Sequence, residues 1–358
     1  RCAPDGRLDV DYNPGNYPSI YWNLSLQLDG KCLVGGGFTL IGGQTRPRLA
    51  RLNEDGTLDE GLVAALPGQV NAMAVQPDGK VLVAVWNLAA PAYGTYNVIR
   101  CNPDGSTDPT FPVSVFEGAI NRLYILSDGK ILCLGAFTRV GGVARPYMAR
   151  LLPDGSVDGT FAPNPDNEVN VVLEQSDGRI LCGGLFTQIA GVSRPYLARL
   201  NADGSFDPTL AGGPNYRVSA LWTQADGALL LSGGFINIQG VPRSGIGRMR
   251  DLGAATDRAT RDATGVTWRR EGVVPAILAA RFQHSPDGVT WTTLGDGTKT
   301  TDGWRWSGAV PEGNAVRALG WLPTVNSSSG WMVRTEVETP PVLAGPDDLN
   351  TGHGGDGR

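Results

Sequence analysis

The sequence predicts an all-β protein, a five-bladed β-propeller with four antiparallel strands per blade over residues 1–250, followed by a C-terminal β-sandwich. Three observations lead there. Asp-Gly followed by an apolar run occurs at Asp29, Asp78, Asp128, Asp177 and Asp226, and a second Asp-Gly series occurs at Asp5, Asp55, Asp104, Asp154 and Asp203, both recurring every 49 or 50 residues. Gly 50 and Pro 25 among 358 residues promise many turns and short strands rather than long helices. The fifth repeat lacks its last hairpin, and "RCAPDGRLDVDY" at the other end of the chain supplies one.

Each unit reads as an apolar run such as "VNVVLEQ", the turn "SDGR", a second run "ILCGGLF", a longer loop, "YLARLN", the turn "ADGS" and a short last strand. Asp-Gly between such runs signals a tight hairpin, because glycine accepts the positive φ the turn demands. The runs do not alternate. In "KILCLGAF", Ile131, Cys133 and Phe137 take one face while Leu132, Leu134 and Ala136 take the other, so both faces need cover. A unit of about fifty residues buries too little by itself to offset the entropy of ordering it, so units must stack on one another. Antiparallel units stacked face to face around an axis form a propeller. Residues near Asp5 to Tyr12 would complete the blade begun at Arg217 and close the ring; the alternative is a truncation at Arg1 with further blades beyond it. The chain opens without a methionine, which fits removal of a leader or longer upstream region.

The segment "DGKCLVGGGFTLIGGQTRPRLARLNEDGTLD", Asp29 to Asp59, and the blades at Asp128 and Asp177 resemble the bacterial delta-60 repeat: an Asp-Gly-Lys turn, an apolar strand, Gly-x-Phe, Arg-Pro, Ala-Arg-Leu-Asn and Asp-Gly-Ser-x-Asp. The blade at Asp78 departs from that pattern. The resemblance covers about 250 residues. It implies a propeller in secreted or surface-exposed bacterial proteins, with no established chemistry.

Arg51, Arg100, Arg150, Arg199 and Arg248 recur once per unit, with Asp59, Asp108, Asp158 and Asp207 eight residues after the first four; Asp9 would serve Arg248 on closure. Ion pairs stapling strands or blades account for them better than five ligand sites do. The Asp-Gly-Ser-x-Asp turns lack the oxygen ligands calcium takes. Glycine pairs such as Gly35-Gly36 and Gly42-Gly43 precede no helix and no P-loop lysine, and are read as close-packing and turn residues. Three of the five cysteines, Cys2, Cys32, Cys101, Cys133 and Cys182, lie in apolar runs with no CxxC pair, so buried thiols are expected rather than zinc ligands or a disulfide framework. With two histidines, His284 and His353, a histidine-rich metal site is excluded, and neither metal nor cofactor is expected.

Both Asp-Gly turns of a blade fall on one side of the disc, and the longer loops fall on the other, the candidate binding face. Its most irregular loop, "VWNLAAPAYGTYNV", carries Trp86, Tyr93 and Tyr96; the first inter-blade segment adds Tyr17, Tyr21 and Trp22. Aromatic rings there suit sugar or peptide contacts, against a default of aromatic packing between loops. Glu117, Asp166 and Glu168 could be imagined as a glycosidase carboxylate pair, but nothing in the sequence sets their separation and no nucleophile elbow is present. No catalytic residue is expected.

After Arg250 the period stops. Residues 251–265 read as a polar linker, 266–338 as a small Ig-like β-sandwich with Trp291, Trp304 and Trp306 in or near its core, and 339–358 as a flexible tail or attachment segment. This layout looks like the small β module that often follows delta-60 repeats. "SPDGVTW" resembles a shortened Asp-box, a structural hairpin and no sign of a sialidase. A net charge of −5 disfavours nucleic acid, and no apolar stretch is long enough to span a bilayer. The expected role is a surface-exposed scaffold, extracellular, at the cell surface or in a virion, whose partners are other proteins of a larger assembly or a surface glycan. The competing readings are a glycan-binding lectin or adhesin, and a carbohydrate-active enzyme.

Overall fold

The computed structural model describes residues 21–86, 94–224, 227–250, 253, 255–310, 315–325 and 328–337, with side chains omitted at 21–22 and from 323 onward. The described residues are all β, without a helix. Five sheets repeat along the chain. Their strands are Tyr21–Leu26, Cys32–Gly36 and Leu49–Leu52 in unit one, and Val70–Val75, Val81–Trp86 and Thr95–Cys101 in unit two. Ile120–Ile125, Ile131–Gly135 and Met148–Leu151 form unit three, and Val169–Glu174, Ile180–Gly184 and Leu197–Leu200 form unit four. Unit five comprises Val218–Thr223, Leu229–Gly233 and Ile246–Met249. Within each the order is first, second, third, all antiparallel.

The expected fourth strand shrinks to a single bridge: Leu52 to Leu58, Cys101 to Thr107, Leu151 to Val157 and Leu200 to Phe206. The paired aspartate ends it. Its side chain accepts from the amide two residues on, as Asp158 does from Thr160, and turns the chain away after one rung. The longer loop after the second strand is itself a small hairpin, for instance Arg139–Val140 against Val143–Ala144, turning at Gly141 (φ +56°) and Gly142 (φ +79°). In unit two the second and third strands pair as far as Trp86 and Tyr96. Its long third strand pairs with Ser114–Glu117, which carries on to unit three's hairpin and makes one six-stranded sheet.

The sheets pack face to face, as two-faced apolar runs require. One core cluster joins Leu33 and Leu49 of unit one to Val70, Met73 and Val83 of unit two, and similar clusters bridge units two to three, three to four and four to five. A bulge in every first strand adds a second stitch. Near it Asn23 Nδ2 donates to Asn71 O (2.9 Å), Asn71 Nδ2 to Ile120 O (2.6 Å), Arg122 Nε to Asn170 O (2.7 Å) and Asn170 Nδ2 to Val218 O (3.2 Å). Closure of the series by Asp5 to Tyr12 falls on residues outside those described.

The segment read as a linker is instead a strand, Ala255–Asp262, paired over its whole length with Gly265–Gly272. Its polar residues divide between two faces: Arg258, Thr260 and Asp262 are exposed on one, while on the other Ala259 is buried and the Asp257 carboxylate accepts from Trp268 Nε1 (2.7 Å) and Arg270 Nη1 (2.8 Å). It begins a four-stranded sheet that continues through Gly303–Ser307 to Thr298–Thr300. A second sheet holds Thr292–Asp296, Ala279–Ser285, Ala315–Val325 and Ser328–Val337, and both share a core of Val266, Trp268, Phe282, Val316 and Ala318. Trp304 and Trp306 pack against this core, while Trp291 lies under the Arg317 guanidinium, 4.1 Å from Cζ to the ring centre. The tail, 339–358, lies outside the described residues.

These C-terminal sheets are joined to the repeats. Ser176 N donates to Val274 O (2.8 Å) and Ala276 N to Glu174 O (2.9 Å), with a β-bridge between Gln175 and Pro275. Val273 enters the core of units four and five, and the long Ala315–Val337 hairpin runs beside the first strands of units one to four.

Candidate functional site

The recurrent charges have one geometry. Arg51 Nε reaches Asp59 Oδ2 at 2.7 Å, Arg100 Nε reaches Asp108 at 2.8 Å, Arg150 Nε reaches Asp158 at 2.8 Å and Arg199 Nε reaches Asp207 at 2.6 Å. The other carboxylate oxygen takes a backbone amide two residues on and, in units two to four, a threonine hydroxyl. The arginine's far end crosses to the next unit: Arg51 Nη1 donates to Pro103 O and Arg100 Nη1 to Pro153 O, both at 2.8 Å, and Arg150 Nη1 donates to Ala202 O. Lys31, Lys80 and Arg179 supply a second cation to Asp59, Asp108 and Asp207. Burial works against the charge of Asp207, yet Thr209 and Arg199 hold its carboxyl down to about 2. Arg248 Nε donates to Gln224 Oε1 at 2.5 Å, and Asp9 lies outside the described residues.

Of the aromatic candidates, Trp86 and Tyr96 stand directly opposite each other across the second and third strands of unit two, both half-buried. Tyr96 pairs onward with Phe116 and packs on the core of units two and three, and burial pushes its phenol up. Tyr21 and Trp22 are in the first strand of unit one, with side chains not described; Tyr17 and Tyr93 lie outside the described residues.

The carboxylates imagined as a catalytic pair are not a matched pair. Asp166 accepts from Thr187 N (2.7 Å), Thr187 Oγ1 (2.6 Å) and Gln188 N (2.9 Å), a loop staple that Asn215 repeats in unit five on the amides of Ile236 and Asn237. Glu117 is exposed beside Arg139 at 4.0 Å, and Glu168 is half-buried.

Sequence reasoning missed Glu174. It is buried at the end of unit four's first strand, where units two, three and five place Val75, Ile125 and Thr223. Its oxygens accept from Ser127 N and Oγ, both at 2.8 Å, and burial pushes its carboxyl up to about 7. The available signal was a carboxylate in an otherwise uncharged repeat position. A cavity of about 60 Å³ lies close by, lined by Ser127, Ser176, Arg270, Lys299, Thr300 and Trp304.

Cys101, Cys133 and Cys182 are buried free thiols, and burial raises Cys101 to about 11, far from a reactive thiolate. Among the described residues no cluster of His, Cys, Asp and Glu could hold a metal ion, and no helix is long and apolar enough to cross a membrane.

Residues 27–61, 76–111, 126–161 and 175–210 match the family model described as "Domain of unknown function (DUF5122) beta-propeller". No curated protein matches the chain. Among solved structures, PorZ, an essential bacterial surface component of the type-IX secretion system of Porphyromonas gingivalis, is similar at 11% identity and TM-score 0.39, over 93% of this chain and 48% of that one. The GH74 xyloglucanase of Xanthomonas campestris gives 14% identity and TM-score 0.37, over 91% and 46% of the two chains. The C-terminal WD40 domain of Sif2 gives 12% and 0.37, over 84% and 82%. The chain spans about half the length of the first two. The four matched segments, each lying within one period of the face-packed array, support a β-propeller repeat family for this chain.

Proposed function

We propose that the chain is a non-catalytic, surface-exposed scaffold: a five-bladed propeller closed by its N-terminal segment, followed by an Ig-like β-sandwich, displaying the hairpin face within a secreted, cell-surface or virion assembly. One observation carries the reading. The charged groups that recur through units one to four are consumed by the frame, since the paired aspartates accept from an arginine and from backbone on their two oxygens. The side chains free to vary are on the hairpins and inter-unit loops, where a rigid scaffold presents binding residues.

The array's ends support closure. The residue two before each recurrent arginine is buried in the first four units, as Leu49, Val98, Met148 and Leu197, whereas Ile246 of unit five is 68% exposed. Leu24 of unit one is 55% exposed where Met73, Leu123, Val172 and Leu221 are buried. Three residues after each paired aspartate stands a buried wedge, Leu62, Phe111, Phe161 or Leu210, and Tyr12 holds that register after Asp9. With Tyr12→Cys and Ile246→Cys combined, closure predicts an oxidative cross-link linking the N-terminal peptide to residues 246–249; an uncross-linked chain under the same oxidation refutes it.

The lectin or adhesin reading draws on unit two alone, where the repeat breaks and Trp86 and Tyr96 meet. Trp86→Ala with Tyr93→Ala should abolish glycan-array binding if that reading holds, whereas assembly on a partner particle without glycan binding selects the structural scaffold. Glycoside hydrolysis lost in Glu168→Gln would establish the enzyme reading instead.

A further inference from the structure

Glu174 stands where three structural bodies meet. Its carboxylate is capped by the Ser127 turn of unit three, its backbone carbonyl accepts from Ala276 of the C-terminal sheets, and its amide donates to Tyr124 Oη at 3.3 Å. Lys299, from the edge strand of the C-terminal sheets, donates through Nζ to Ser127 O at 2.9 Å. The remaining charges around the seam are Asp128 with its partner Lys130 on the Ser127 turn, Asp177 with Arg179 on unit four's turn, and Arg270 with Asp257 across the cavity. Asp177, Arg179, Arg270 and Asp257 are neutralised in pairs. Among the described residues, the carboxylate sealed inside the seam without a direct cation is thus Glu174, at a strand position that is apolar in units two and three. The charged form loses water there and gains only the two Ser127 donors and Lys299 at longer range.

We propose that Glu174 makes the docking of the C-terminal sheets on the repeat array pH-dependent, closed in acid and loosened as the carboxyl ionises. The direction follows from linkage. Burial raises the docked carboxyl from its ordinary 4.5 to about 7, with Asp128 adding to the rise and Ser127 and Lys299 opposing it. Opening the seam returns the group to water and to its ordinary value. Stability of the closed seam is therefore full below pH 4.5, declines between pH 4.5 and about 7, and stays at its floor above that. Tyr124 is pushed up by burial and by Glu174, so its phenol keeps its proton throughout this range.

The test is hydrogen exchange on the full chain, corrected for intrinsic exchange rates, following the amides of Ser127, Ser176 and Ala276. Between pH 5.5 and 8.5 their opening should increase roughly thirtyfold, while amides in the middle of Ile131–Gly135 keep their protection. Glu174→Gln should flatten the response. Lys299→Met removes the cation that favours the carboxylate, so it should move the midpoint to higher pH, a displacement that a purely packing role for Lys299 does not produce. A wild-type seam insensitive to pH, or a Glu174→Gln seam with the wild-type response, overturns the proposal; if Glu174→Gln does not fold, an unmoved midpoint in Lys299→Met does so.

Discussion

Arg150→Ala is expected to destabilise the protein by about 3–5 kcal/mol, the usual cost of stranding the buried partner of an ion pair. Arg150 and Asp158 side chains are 5% and 7% exposed, so water does little to screen the carboxylate left behind. The same guanidinium donates to Ala202 O of unit four and lies 4.1 Å above the Phe161 ring, so one truncation cuts a rung within unit three, a bond between units and a ring contact. Arg150→Lys should recover little, because a single ammonium nitrogen replaces the planar guanidinium whose Nε and Nη2 meet Asp158 while Nη1 meets Ala202 O. Chemical denaturation measures the loss. Arg139→Ala, which removes two exposed contacts, the 4.0 Å pair with Glu117 and the Nη1 bond to Gly142 O, serves as the control and should change stability by less than about 0.5 kcal/mol.

Phe161→Ala should cost a comparable amount, about 3–5 kcal/mol, as a fully buried aromatic truncated to a methyl leaves a cavity its neighbours cannot fill. Phe161 is packed with Met148 of its own unit and Val169 of the next, and its ring presses on Gly204, where an added Cβ would come within 2.8 Å. Phe161→Leu should be far milder, since Leu62 and Leu210 hold the corresponding places in units one and four. A lowered denaturation midpoint with unchanged slope is the expected signature, because only the native state is altered. A double-mutant cycle between Arg150 and Phe161 should show coupling, as both act on one joint.

The wedge explains why Asp-Gly recurs beyond the needs of a turn. Gly204 has φ +90° and lies under Phe161; Gly155 has φ +92° and lies under Phe111. A side chain there would be strained by the backbone and would collide with the preceding unit. The turn chemistry was legible from the dipeptide, but the collision was not, because its two members are 43 or 44 residues apart and meet only when the sheets stack.

The same division runs through the whole molecule. Period, strand polarity and turn residues are local properties, so the sequence by itself determined that the chain is a series of two-faced β units obliged to pack on one another, and which arginines and aspartates recur with them. What lies opposite each face is settled only by the fold. The tertiary structure made a strand of the polar Ala255–Asp262, because its full-length pairing with Gly265–Gly272 and the bonds of Asp257 to Trp268 and Arg270 satisfy polar groups that composition alone assigns to water. It also brought Ser127, Glu174, Ala276 and Lys299 into one seam. A buried carboxylate has no signature of its own in a sequence, since the groups that desolvate it come from distant parts of the chain.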